Sequence, residues 1–117
     1  MRMDVEDVLK KAVEAHRQGR FLEADQYYTA ILNTIPKHPD ANHNMGLLAG
    51  NVGRVLEAQK HFKVALEQNP KVMQYWKSYI NLLIELDELE EAEKAHNEAR
   101  KLGIQVELQP SSELASN

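Results

Sequence analysis

A chain of 117 residues with 43% hydrophobic and 27% charged side chains can bury one real apolar core, and it is too apolar to remain disordered. Its net charge of −4 supplies no basic field for a phosphate backbone, so nucleic acid is not an expected partner. With no cysteine, disulfides, thiolate metal sites and cysteine nucleophiles are excluded together.

The opening stretch, MRMDVEDVLKKA, has acidic residues where a signal peptide would carry its apolar segment. Val5, Val8, Leu9, Ala12 and Val13 recur at helical spacing and predict a first helix over about 4–18. The tripeptide QGR interrupts the pattern, with glycine suited to the left-handed conformation that ends a helix. Phe21, Ala24, Tyr28, Ile31 and Ile35 then predict a second helix over 21–34. A Pro–Lys–His–Pro corner follows, since proline cannot continue a helix but can begin one. The same logic predicts helices over about 39–52, 55–68, 72–86 and 89–102. The longest apolar-rich run, INLLIEL, is too short to span a bilayer, so a soluble, cytoplasmic protein with no membrane partner is expected.

The chain repeats itself every 34 residues. Gly19 pairs with Gly53, and Pro36 with Pro70; Ala24, Ala58 and Ala92 form a column, as do Phe21, Val55 and Leu89. Tyr28 and Phe62 keep the interval with His96 at the third position, and Ala12 matches Gly46. Small residues at Ala12, Ala24, Gly46 and Ala58 mark where the two helices of a unit approach closely. Tyr28 and Phe62 fill the space between units.

A 34-residue helix–turn–helix with these columns resembles the tetratricopeptide repeat (TPR). Residues about 5–38 match through Ala12, Gly19, Phe21, Ala24, Tyr28 and Pro36. Residues about 39–72 match through Met45, Gly46, Gly53, Ala58, Phe62, Ala65 and Pro70. Residues about 73–106 match through Trp76, Leu83, Ala92 and Ala99 but depart at Ile80, Asp87, His96 and Ile104. The resemblance implies an all-α fold, a right-handed α-solenoid of three TPR repeats with six helices. It places a TPR domain over 1–104 and a flexible tail over 105–117. The family usually adds a capping helix after the last repeat. Here Leu89, Ala95, Ala99 and Leu102 have no evident cover, which leaves three alternatives: the tail folds back through Ile104, Val106 and Leu108, another chain covers the face, or the natural protein continues. Homo-oligomerisation through the last helix is therefore one expectation.

In the family the concave groove is lined by the first helix of each repeat. The resemblance thus implies a peptide-binding groove of Leu9, Val13 and Arg17, then His43, Asn44, Leu47 and Asn51, then Lys77, Asn81 and Ile84. Asparagine offers both a donor and an acceptor to an extended backbone. Chaperone-binding members grip a C-terminal carboxylate with lysine, arginine and asparagine side chains. The equivalent positions here are Leu9, Val13, Asn44, Gln74 and Ser78, of which only Asn44 agrees, so that role is rejected. The stretch from Ala15 to Ala49 is also similar to repeat modules preceding bacterial O-linked N-acetylglucosamine-type glycosyltransferases and some sulfotransferases.

His38, Asp40 and His43 cluster at the first corner, but they lack the i, i+4 spacing of a helical metal pair. The glycines of LLAGNVGR stand at a helix end rather than after a strand, and no serine has a histidine and an acid arranged around it. The sequence therefore predicts a non-catalytic protein-interaction module without cofactor or metal. A substrate-presenting module of a larger transferase and a self-assembling scaffold are the alternatives.

Overall fold

The computed structural model describes residues 3–107. They form six helices and no strand: α1 (Val5–Arg17), α2 (Phe21–Thr34), α3 (Pro39–Asn51), α4 (Val55–Gln68), α5 (Met73–Glu85) and α6 (Leu89–Lys101). The odd-numbered and even-numbered helices each begin at a strict 34-residue interval. Two compact units hold them, Met1–Pro70 with α1 to α4 and Lys71–Asn117 with α5 and α6.

Local chemistry accounts for the helix ends. Asp4 caps α1, its Oδ1 accepting from the amides of Glu6 at 3.1 Å and Asp7 at 3.4 Å. His38 caps α3 through Nδ1, which accepts from the Ala41 amide at 3.0 Å, and Pro39 opens the helix where no amide is needed. The turns after α1, α3 and α5 are one motif used three times. The Arg20, Arg54 and Glu88 amides each donate 2.8 Å back to the carbonyls of Ala15, Ala49 and Leu83. This requires a left-handed residue just before each donor, and those residues are Gly19, Gly53 and Asp87, the last with φ 59°.

In the first unit, α1 packs on α2, α2 on α3 and α3 on α4, and α1 also touches α3. Ala12, Ala15, Ala24, Tyr28 and Leu48 are buried together, with Leu9, Phe21, Tyr27 and Met45 packed around them. Gly46 explains the close approach of α3 to α4: a Cβ there would lie 2.5 Å from Cε1 of Phe62. In the second unit α5 packs on α6, with Ile80 and Leu83 fully buried.

The residues after α6 stay bonded to it as far as Val106. Val106 is buried, His96 Nε2 donates to its carbonyl at 3.4 Å, and the Ile104 amide donates to the Ala99 carbonyl. Ala95 and Ala99 are buried as well, while Leu89 and Leu102 stay exposed. Leu108 and the rest of the expected tail lie outside the described residues.

Candidate functional site

The expected groove residues separate by what surrounds them. On α1, Leu9 is half-buried against the core and Val13 is 39% exposed. Arg17 is exposed and ion-paired with Glu14 on its own helix. On α3, Asn44 is half-buried and Leu47 is 37% exposed. On α5, Lys77 and Asn81 are half-buried and Ile84 is exposed.

His43 departs from the expectation of a groove side chain. Only 6% of it is exposed, and its ring lies 5.6 Å from that of Phe62. Burial pushes its pKa down to about 4, against a smaller opposing pull from Asp40, so the ring is neutral at pH 7. Its place is in the packing between α3 and α4.

Asn51 is exposed but engaged. Its Oδ1 accepts from His16 Nε2 at 2.7 Å, linking α1 to α3. The other ring nitrogen, Nδ1, pairs with the Tyr28 hydroxyl at 3.4 Å. Tyr28 is wholly buried, and burial raises its hydroxyl pKa to about 12.

A second polar network escaped the sequence reading. Asn42 is 2% exposed, and its amide nitrogen donates to the carbonyls of Pro36 at 3.1 Å and His38 at 2.9 Å. Its Oδ1 accepts from His61 Nδ1 at 2.9 Å. One amide thus ties the first corner and α4 to α3, with all its hydrogens used. The available signal was a column: Asn42 stands where the other repeats have Val8 and Trp76.

No three His, Asp or Glu side chains among the described residues are placed to hold a metal ion. His38 Nδ1 is already committed to its helix cap. No helix among the described residues is long and apolar enough to cross a membrane.

This architecture is that of TPR domains. No protein-family model and no curated protein matches the chain, but solved structures do. One is the first TPR of Spaghetti (RPAP3) bound to the HSP90 peptide SRMEEVD, with a TM-score of 0.75 at 20% identity over 84% of this chain and 78% of that one. Another is the Sgt2 TPR domain from Aspergillus fumigatus, with a TM-score of 0.75 at 18% identity over 86% and 69% of the two chains. The likeness is one of fold: three helix–turn–helix repeats, read consistently in the residue columns and in the backbone.

Proposed function

We propose that the chain is a non-catalytic interaction module whose first-helix surfaces take an extended or helical segment of a partner protein. Val13 and Leu47 carry the reading: two branched apolar side chains left exposed on touching helices, α1 and α3. Asn44, three residues before Leu47 on the same face of α3, adds an amide that can both donate to and accept from a peptide backbone. Leu9 on α1 is a further contact we assign to this role, and in the other unit Lys77, Asn81 and Ile84 give α5 a first-helix surface of the same kind. His43 and Asn51 leave the set because packing and the His16 bond occupy them.

The similarity to a TPR structure holding a peptide supports that ligand class. A terminal carboxylate is not the feature we expect to be read. Leu9, Val13, Gln74 and Ser78 supply no cation at the positions the clamp uses, and the charge-assisted bonds would be missing.

The test is paired capture from lysate with the wild-type chain and an Asn44→Ala/Leu47→Glu/Asn81→Ala variant, both confirmed helical by circular dichroism. A protein retained by the first and lost from the second supports the surface. Equal capture by both overturns it. If instead the chain's mass rises with concentration and Leu102→Glu abolishes the rise, the self-assembling reading replaces it.

A further inference from the structure

The unit Met1–Pro70 contains a cavity of about 260 Å³ that the peptide surface does not use. It opens between α2, α3 and the start of α4. Its α3 wall is Met45, Leu48, Ala49 and Val52, a stripe roughly a third of a turn from Asn44 and Leu47 at 100° per residue. The two sites are therefore on different faces of one helix.

Phe21, Met45, Leu48 and Ala49 make an apolar floor, while the polar lining is dominated by acceptors. Asp25 receives only a long 3.5 Å bond from the Thr29 hydroxyl. Glu57 faces Arg54 at 3.9 Å, and both side chains are mostly exposed, so this pair opens at little cost. The third acceptor is fixed by the Asn42 network. Because His61 Nδ1 donates to Asn42 Oδ1, its Nε2 carries a lone pair, and burial lowers the ring's pKa in favour of this neutral form. Two acidic residues and a histidine whose Nε2 is an acceptor thus line the space, with Arg54 as the one cation among the lining residues.

The cavity is smaller than the roughly 300–1,000 Å³ of sites that take small organic ligands. It suits one long side chain, with an aliphatic stem for the floor and a donor-rich head for the rim. Leu22, 74% exposed at the mouth, and Val52 beside it extend the apolar surface outward.

We propose that this cavity is a second docking site, receiving a single arginine side chain from a partner segment that carries apolar residues on either side of it. Arginine fits better than lysine because its planar guanidinium presents five donors at fixed angles, enough to meet separate acceptors at once. The apolar flanks of the segment rest on Leu22 and Val52.

The test is an amide-shift titration of the full ¹⁵N-labelled chain with a capped five-residue peptide holding one arginine between two leucines. The expected result is saturable shifts at Leu22, Ala49, Val52 and Glu57. Replacing the arginine by citrulline, which keeps the shape and removes the charge, should weaken binding at least tenfold. Asp25→Asn/Glu57→Gln should do the same while leaving the spectrum of the free chain otherwise unchanged. Absence of saturable shifts at these amides, or equal binding by the citrulline peptide, overturns the proposal. Shifts confined to Val13 and Leu47 also overturn it, and would assign the peptide to the first-helix surface instead.

Discussion

Two regions of this chain solve the same packing problem with opposite choices of size. In the unit Met1–Pro70 a small residue on the first helix is matched with a ring on the second, Ala12 with Tyr28 and Gly46 with Phe62. In the unit Lys71–Asn117 the same columns hold Ile80 and His96. Tyr28 and Phe62 are buried, as is Ile80, whereas His96 is half-buried and bonded to the Val106 carbonyl. The bulk has moved from the second helix to the first. Cores are close-packed, so a repeat tolerates either placement provided volume is conserved within the pair.

The comparison predicts its largest asymmetry at the ring column. Phe62→Ala should cost about 3–5 kcal/mol, the usual range for removing a buried ring, and His96→Ala no more than about 1 kcal/mol. Urea denaturation of both variants, read by tryptophan fluorescence and circular dichroism, measures the difference. Comparable losses would show that the two units use this column alike.

Acid should separate the units next. The His43 imidazole keeps a folded pKa of about 4 against an ordinary 6.5 in the unfolded chain. Between these values the unfolded state binds more protons, so stability is fully present above pH 6.5 and declines as the pH falls toward 4. The loss from this group reaches at most about 3 kcal/mol, and His61, shifted in the same direction, adds to it. Amide protection factors, taken against the intrinsic exchange rate at each pH, should therefore fall in α3 and α4 before α5 and α6 between pH 7 and 4.5. His43→Leu should flatten the dependence; an unchanged slope would remove His43 from the explanation.

The smallest effect lies in the turns. Asp87 holds the left-handed conformation that Gly53 holds at the equivalent turn. Asp87→Gly should raise stability by up to about 1 kcal/mol and Gly53→Asp should lower it by a similar amount, because only a residue with a Cβ is strained there. Thermal melts resolve both. If Asp87→Gly is destabilising, the carboxylate has a role in the turn beyond its backbone.

Much of this was legible in the residues themselves. Helices expected over 4–18, 39–52 and 72–86 run over Val5–Arg17, Pro39–Asn51 and Met73–Glu85, and those expected over 21–34 and 55–68 match to the residue. Helical periodicity, prolines at the corners and glycines at the turns act over three or four neighbours, and the 34-residue interval repeats the same instruction three times. The groove assignment was less legible. Residues such as His43 and Asn51 satisfy the spacing for a first-helix surface, but spacing does not say whether a side chain already has a partner.

What the sequence determined by itself was thus the set of helices, their turns and the repeat that defines the fold, because each rests on local chemistry. The tertiary structure decided which side chains remain available. His16 reaches Asn51 across 35 positions and Asn42 reaches His61 across 19. Phe62 closes over both Gly46 and His43. The cavity beneath Leu22 is walled by three separate helices. Such pairings depend on how helices stack, and stacking is set by the volumes of residues far apart in the chain.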